Sequence, residues 1–259
     1  MTTRTALSLG ALAGLVVSAA GCGKKAAPGN PGQSATQSVD RATAGTIMGT
    51  VKLEGPAPKR QLINMKEDPA CAAAHPQGVL DESVIADANG DLANVIVYVK
   101  EGLESRVFPA PQEPVTVDQR GCVYTPHVVA LMVGQTLRAL NSDPTIHNVH
   151  AEAQKNPESN AVQLAGGAPI EMKFDHAEVG IQLRCDVHPW MKCYLGAFPH
   201  PYFQVTSPNG SFELKNLPPG TYTIEAWHEK YGTTNQRVTL GPKEAKTVNL
   251  IFKATGAGG

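Results

Sequence analysis

The sequence predicts an all-β protein. Its 259 residues include 25 glycines and 20 prolines, residue types that form turns and interrupt helices. Apolar residues seldom recur at the spacing of an amphipathic helix, whereas short runs rich in β-branched residues recur along the chain. Hydrophobic residues make up 42% and charged residues 17% of the chain, as in folded globular proteins. The length allows one large or two small domains.

Charge and motif content exclude several functions. The formal net charge is -1 at pH 7, so no basic field indicates a nucleic acid partner. The chain has no phosphate-binding loop, no Ser-His-Asp arrangement and no paired-carboxylate motif that stands out. We therefore expect no nucleic acid binding and no catalytic residues, and we expect that the protein is not an enzyme.

The first 21 residues are typical of a targeting segment. A short positively charged start is followed by an apolar run over 6–20 that is too short to span a bilayer comfortably. Small residues then lead into Cys22, an arrangement that resembles a bacterial lipoprotein signal peptide. The resemblance implies that Cys22 becomes the lipidated first residue and anchors the protein to a membrane. Simple secretion is the alternative, and in both cases we expect a location outside the cytoplasm, in the periplasm or cell envelope.

Residues 22–44 are rich in Gly, Ala, Ser, Gln and Pro and offer little to bury, so they are predicted to form a flexible tether. An alternating pattern then predicts a strand over 46–55. The segment 57–91 is polar and irregular, and we expect it to contain a short helix or an elaborated loop. Residues 93–100 are apolar and β-branched, which predicts a buried strand, and three prolines separate it from a short strand at 115–118.

The middle of the chain predicts a β-sandwich with a site at one end. Two strands are expected over 127–142, with a break at Val133-Gly134-Gln135. A loop with histidines follows, and further strands are predicted at 170–174, 179–184 and 194–198. This order of strands and loops is that of a small Greek-key sandwich carrying a metal at one end.

One short loop contains three soft metal ligands. Cys185, His188 and Met191 occur in the run Cys-Asp-Val-His-Pro-Trp-Met. A thiolate and two imidazoles with a distant thioether form the copper sites of electron-transfer proteins. The loop supplies three of these four ligands, so the second histidine must come from elsewhere in the chain.

Two motifs together resemble the blue copper proteins, or cupredoxins, of the amicyanin and plastocyanin type. They are His147-Asn148-Val149-His150 and the Cys185–Met191 loop, about 38 residues apart. The resemblance covers residues 104–198 and implies a Greek-key sandwich with one type 1 copper ion. It implies that His147, Cys185, His188 and Met191 are the ligands, and that Asn148 ties the two ligand loops together.

Other histidines and cysteines leave alternatives open. We place His150 on the same strand face as His147 and expect it to support the site or pack in the core, not to bind the metal. Cys193 is either a buried strand residue or a rival disulfide partner for Cys185. No second cysteine stands where a two-copper site would need one.

A disulfide between Cys71 and Cys122 is favoured, because both residues lie in polar, turn-like sequence and the expected compartment permits disulfides. The competing interpretation is a second metal site, since His75 follows Cys71 and His127 follows Cys122. Neither spacing matches a zinc signature.

The end of the chain resembles a second family. Residues 203–252 contain the runs Ser-Pro-Asn-Gly-Ser-Phe and Leu-Pro-Pro-Gly-Thr-Tyr, which are similar to carboxypeptidase regulatory-like domains. That family has a transthyretin-like β-sandwich and also occurs beside the catalytic domain of rhamnogalacturonan lyases. Its first strands would correspond to 49–55 and 93–97. We therefore expect a split sandwich, residues 46–100 and 200–253, with the cupredoxin domain 104–198 inserted; two domains in series are the alternative.

These features predict a lipid-anchored blue copper electron carrier that exchanges electrons with redox proteins, a cytochrome or an oxidoreductase, through an exposed edge of His188. A copper storage or delivery protein would share the ligands. A carbohydrate- or cell-envelope-binding lipoprotein, with a glycan stacked on Tyr222, Trp227 and Tyr231, is the remaining alternative.

Overall fold

The computed structural model describes residues 39–254. The predicted signal segment, the predicted lipidation site Cys22 and residues 23–38 of the predicted tether lie outside the described residues. Val39, the first described residue, precedes the predicted first strand and packs against a buried apolar cluster. Between residues 39 and 254 no helix is long and apolar enough to cross a membrane.

The described chain is almost entirely β-structure, which confirms the predicted fold class, and it belongs to one compact unit. Its elements are, in order, β1 (Gly45–Glu54), α1 (Pro69–Ala74), β2 (Ile96–Glu101), β3 (Val115–Gln119), β4 (Tyr124–Thr125), β5 (Val128–Met132), β6 (Thr136–Asn141), β7 (His147–Glu152), β8 (Ser159–Gln163), β9 (Ile170–Lys173), β10 (Glu178–Arg184), β11 (Lys192–Phe198), β12 (Phe203–Val205), β13 (Ser211–Leu217), β14 (Gly220–His228), β15 (Gly232–Leu240), β16 (Ala245–Thr247) and β17 (Leu250–Lys253).

Two sheets in the middle of the chain enclose one apolar core, and we call this part the metal half. One sheet has the order β5-β11-β10-β7-β8 and the other β4-β3-β6-β9. Strand pairs β5 with β11 and β3 with β6 are parallel. Val117 and Leu137 from one sheet share a cluster with Leu131, Ile181 and Leu195 from the other, so the two sheets form a sandwich.

The first and last strands build a second sandwich, which we call the accessory half. One sheet has the order β13-β1-β16, with β17 also paired to β1, and the other has the order β12-β2-β14-β15. Its core includes Ile47, Val97, Leu214, Ile224 and Phe252. The strands that pair with β1 and β2 all follow residue 200 in sequence. The nested division of the chain is our interpretation of these pairings.

The segment 57–91 differs from its expected placement in the accessory half. It contains α1, as the expectation of a short helix allowed, and the Asp68 side chain caps this helix by accepting hydrogen bonds from two backbone N–H groups. Met65 and Cys71 are buried in the core of the metal half, whereas Val84 belongs to the accessory core. The segment therefore crosses from one sandwich to the other, because its few apolar residues are buried in both cores.

Candidate metal centre

Neighbouring strands position the sequence-predicted ligands. His147 is the first residue of β7, and Cys185 directly follows β10, which pairs with β7 and β11. The loop before β11 is closed by two backbone hydrogen bonds: the Met191 N–H donates to the His188 carbonyl (2.9 Å) and the Cys185 N–H to the Met191 carbonyl (3.2 Å). This tight loop holds Cys185 and His188 on the same side, facing His147.

One atom from each of three predicted ligands forms a corner of a buried triangle. His147 Nδ1 lies 2.9 Å from His188 Nδ1, and Cys185 Sγ lies 3.9 Å and 3.8 Å from these two nitrogens. A point equidistant from the three atoms is about 2.1 Å from each of them, close to metal–nitrogen and metal–sulfur bond lengths of about 2.0–2.3 Å. The residues are 0%, 2% and 1% exposed for His147, His188 and Cys185. The triangle therefore fits a trigonal ion of the kind that copper forms with two imidazoles and a thiolate.

A carboxylate fixes the orientation of each histidine ring. His147 Nε2 lies 2.9 Å from Asp143 Oδ2, and His188 Nε2 lies 3.0 Å from Asp68 Oδ2. When each Nε2–H donates to its carboxylate, each Nδ1 presents a lone pair to the centre of the triangle. Two lone pairs 2.9 Å apart repel each other unless a proton or a metal ion lies between them. The hydrogen-bond pattern thus independently fits a cation at this point.

The directions of the pKa shifts of Asp68 and His147 agree with this tautomer, in which Nε2 carries the proton. The hydrogen bond from His188 lowers the pKa of Asp68, and the backbone N–H groups of α1 act in the same direction. Burial lowers the pKa of His147, although its hydrogen bond to Asp143 opposes that shift. A neutral His147 ring is the form that binds a metal ion.

Met191 is 1% exposed and lies in the core of the metal half. It ends the ligand loop, and its backbone is held on both sides by the hydrogen bonds that close this loop. Its assignment as the distant thioether ligand stays a prediction.

Asn148 bridges the two ligand-bearing segments, as the resemblance implied. Its backbone N–H points at Cys185 Sγ (3.5 Å), and its side-chain oxygen accepts from the Asp186 N–H (2.5 Å). Its side-chain amide donates to Asp186 Oδ2 (3.0 Å). Asn148 therefore connects the start of β7 to the residue that follows the predicted ligand Cys185.

His150 does not share a strand face with His147. Side chains alternate along a strand, so positions three apart point to opposite faces, and our expectation of a common face is wrong. His150 Nδ1 lies 3.1 Å from Asp186 Oδ2 and its Nε2 lies 2.6 Å from Glu158 Oε1. His150 thus holds the ligand loop through Asp186 from the other face of β7.

The expected exposed edge of His188 is absent from this structure, since His188 is 2% exposed. Asp68 covers its Nε2, and Cys71 Sγ lies 3.6 Å from the same atom. The Trp190 ring packs beside it with a centroid separation of 5.1 Å. The physical reason for the difference is the segment 57–91, whose helix α1 lies against the metal half and closes the ligand from outside.

The structure joins Cys71 and Cys122 in a disulfide with a Cα–Cα distance of 5.5 Å. His75 and His127 make other contacts: His75 Nε2 bonds to the Gly121 carbonyl and His127 is paired with Glu229. They therefore do not build the second metal site that their sequence positions allowed. The disulfide instead anchors α1 beside the ligand triangle, and Asp143 accepts from the Cys122 N–H (2.7 Å).

Cys193 is the other free thiol among the described residues, and Cys185 is not bonded to it. It is 0% exposed on β11 and belongs to the core of the metal half. Burial raises its pKa, so the thiol stays protonated. Cys193 is therefore a core residue here, and the rival disulfide with Cys185 is not formed.

Comparisons with known proteins give one family-model match and several similar solved structures. Residues 201–253 match the family model of the carboxypeptidase regulatory-like domain. Similar solved structures include the copper-containing nitrite reductase of Thermus scotoductus SA-01 (20% identity, 39% of this chain and 27% of that chain, TM-score 0.32). They also include an oxidized amicyanin variant (21% identity, 32% of this chain and 81% of that chain, TM-score 0.30). A third is a purple cupredoxin of Nitrosopumilus maritimus (20% identity, 32% of this chain and 98% of that chain, TM-score 0.28). The family model is the one that the end of the sequence resembles.

The present chain spans only about a quarter of the nitrite reductase. No curated protein matches it at the sequence level. The reasoning about the site therefore rests on the atoms of the triangle and their neighbours.

Sequence reasoning missed Asp68 and Asp143 as partners of the ligands. Asp143 stands four residues before His147 in the loop that delivers this ligand, and that closeness was the available signal. Asp68 is 120 residues away from His188, and nothing in its local sequence indicates the contact.

The proposed sugar-stacking residues do not form one exposed platform. Tyr222 is 2% exposed and lies in the accessory core. Trp227 packs against Tyr194 and Tyr231 against His228, with ring centroids 5.4 Å and 4.9 Å apart. These aromatic rings therefore pack largely against other residues of the protein.

Proposed function

We propose that this protein is an electron carrier with one type 1 copper ion. The observation that carries the proposal is the buried triangle of His147, His188 and Cys185. Copper held by a thiolate and two imidazoles alternates between Cu(I) and Cu(II), and so accepts and donates one electron. The residues of the chain supply the binding atoms and the frame that keeps them in place.

That frame suits electron transfer because it resists rearrangement. Asp68 and Asp143 hold the two histidine rings, Asn148 joins the two ligand segments, and the disulfide anchors the cap of the site. A site whose geometry is fixed by packing and hydrogen bonds changes little when the charge of its ion changes, which favours rapid electron exchange.

Burial distinguishes the carrier from the storage or delivery alternative, which would use the same ligands. The three triangle residues are almost completely enclosed, and release of the ion would require α1 or the ligand loop to open. We infer slow copper exchange, and a rapid transfer of copper to a chelator would favour storage or delivery.

Location and partners belong to the same proposal. The sequence of the first 22 residues supports a lipid anchor at Cys22 and a place in the periplasm or cell envelope. The partners would be redox proteins, such as a cytochrome or an oxidoreductase. The accessory half would hold the metal half at a distance from the membrane, and the buried position of Tyr222 does not favour a glycan there.

The test is the absorption spectrum of the copper-loaded protein. We expect an intense visible band from charge transfer between the Cys185 thiolate and Cu(II), lost in Cys185→Ser. Cys193→Ser is the matched control and keeps the band, because Cys193 lies in the core and outside the triangle. Absence of the band in the copper-loaded wild-type protein would exclude a type 1 site.

A further inference from the structure

A groove opens beside the ligand loop, and we call it the Trp190 groove. It has a volume of about 950 Å³ and runs along the extended residues 56–64. Leu62, which is 63% exposed, and the half-buried Tyr231 give it an apolar part. Its lining also includes Lys59, Arg60, Trp190 and Lys230.

Trp190 connects this groove to the metal centre. Its ring is 5.1 Å from that of His188, centroid to centroid, and its Nε1–H donates to the Cys122 carbonyl (2.9 Å). Trp190 is half-buried and lines the groove, whereas His188 is enclosed. Since the rate of electron transfer falls steeply with distance, an aromatic ring that touches the ligand and reaches solvent is the natural route outward.

The charged groups of the groove are mainly positive. Lys59, Arg60 and Lys230 line it together with a single carboxylate, Asp81. Across residues 39–254 none of these three cations forms an ion pair with a carboxylate. The Arg60 guanidinium donates to the backbone carbonyls of Leu80 and Asp81, which leaves its charge uncompensated.

The start of the ligand loop offers no comparable unpaired cation. Asp186 pairs with His150 and Arg184, Glu158 with His150, and Glu152 with Arg184. An anionic surface is therefore attracted to the groove in preference to this cluster, because complementary charge steers association and suppresses wrong orientations.

We propose that the Trp190 groove is the docking surface for an electron-transfer partner with an acidic surface, and that the electron passes through Trp190. This inference rests on the proposed copper function. In one direction the reduced site loses one electron and becomes Cu(II) while the partner gains that electron; in the other direction the roles are exchanged. No proton or atom is transferred.

Two small redox probes test the route in the copper-loaded full chain. Oxidation of the reduced protein is followed by stopped flow with the anion ferricyanide and with the cation tris(phenanthroline)cobalt(III). We expect the ferricyanide rate to fall with salt, and to fall by about tenfold or more in the triple variant Lys59→Glu, Arg60→Glu, Lys230→Glu. The rate with the cobalt cation should not fall. Lys173→Glu, on an exposed position of β9, is the matched control and should leave both rates close to wild type.

The tryptophan itself is tested with Trp190→Leu and Trp190→Phe. We expect both variants to keep the charge-transfer band, Trp190→Leu to slow the ferricyanide reaction by about tenfold, and Trp190→Phe to recover most of the rate. An unchanged rate in Trp190→Leu would overturn the route. An equal slowing of both probes in the charge-reversed variant, or no slowing of either, would overturn the docking surface.

A measurement on the metal-free protein separates this inference from the copper proposal. The redox-inert anion hexacyanocobaltate(III) is titrated into the full chain while the indole N–H signal of Trp190 is observed by NMR. A shift of that signal, lost in the charge-reversed variant, supports the groove even if no type 1 spectrum is found. Shifts confined to other parts of the surface would contradict it.

Discussion

The two sandwiches of this chain differ in what they bury. The accessory half has a core of aliphatic and aromatic side chains such as Val97 and Phe252, and its buried polar residues, such as Glu225 and His228, lie on the strand β14. The metal half has a similar apolar core, but its loop end also encloses Asp143, Asn148 and two histidines in a connected hydrogen-bond network. Buried polar groups are costly unless they are paired. The difference is that the metal half gathers its buried polar residues at one loop end, beside Cys185, which is where we propose the functional site.

The largest expected effect is a loss of stability caused by a substitution in the apolar core of the accessory half. Ile224→Ala removes a fully buried side chain from the accessory core, and we expect a loss of about 2–5 kcal/mol of stability. Urea unfolding measures the loss, and the visible spectrum of the folded, copper-loaded variant should match that of wild type. A changed spectrum would show that the metal centre depends on the accessory core, which would break the division between the halves.

A substitution of Asp143 tests the hydrogen-bond network at the loop end of the metal half. Asp143→Asn keeps the shape but weakens acceptance from His147 Nε2 and from the N–H groups of Gly121 and Cys122. We expect copper affinity to fall about 10–100-fold, as for other residues that orient a metal-binding histidine. Competition with a chelator measures the affinity, with Asp87→Asn, in an exposed turn, as the matched control. An affinity equal to that of the control would contradict the positioning role.

Asp68 should affect the redox balance more than the affinity. Asp68→Asn retains an acceptor for His188 Nε2 but removes a negative charge beside the site. Because that charge favours Cu(II), we expect a higher reduction potential in the variant. The effect should be on the order of 1 kcal/mol, since Asp68 is partly exposed and screened. Voltammetry of wild type and variant decides the sign, and a lower potential in Asp68→Asn would refute the assignment.

The smallest effect is the pH dependence contributed by His150. Its hydrogen bond to Glu158, followed by that to Asp186, raises its pKa above the ordinary value of 6.5. A raised pKa in the folded state stabilises the protein below the unfolded pKa, and this contribution disappears as the pH rises through the folded pKa. The stability difference between wild type and His150→Gln should therefore be largest below about pH 6.5 and should shrink above it. A difference that grows with pH would contradict the pairing.

Much of the fold could be predicted because its signals are local. The break at Val133-Gly134-Gln135 separates β5 from β6 as expected, since Gly134 takes a positive φ of 80° that suits a turn. The strand predicted from residue 93 begins instead at Ile96, because Asn94 adopts a φ of 60° that no strand accommodates. The strand β8 was missed, because Ser159–Gln163 is largely polar and its one branched apolar residue, Val162, is 67% exposed.

The same distinction between local and long-range signals applies to the candidate site. Three of the four predicted ligands lie in seven consecutive residues, so their types and spacing could be seen in the sequence, and the structure brings Cys185 and His188 together with His147. The cap over His188 comes from Asp68 and Cys71, which are far away in sequence and lie in a segment without periodic pattern. Long-range contacts of this kind depend on how loops pack, which periodicity does not reveal.

The central claim is that His147, His188 and Cys185 hold one copper ion in a trigonal environment. Electron paramagnetic resonance of the protein loaded with one equivalent of Cu(II) tests it most directly. We expect the small parallel hyperfine splitting of a highly covalent copper–thiolate site, absent in Cys185→Ser and present in Cys193→Ser. An ordinary tetragonal Cu(II) spectrum in the wild-type protein, unchanged by Cys185→Ser, would contradict it.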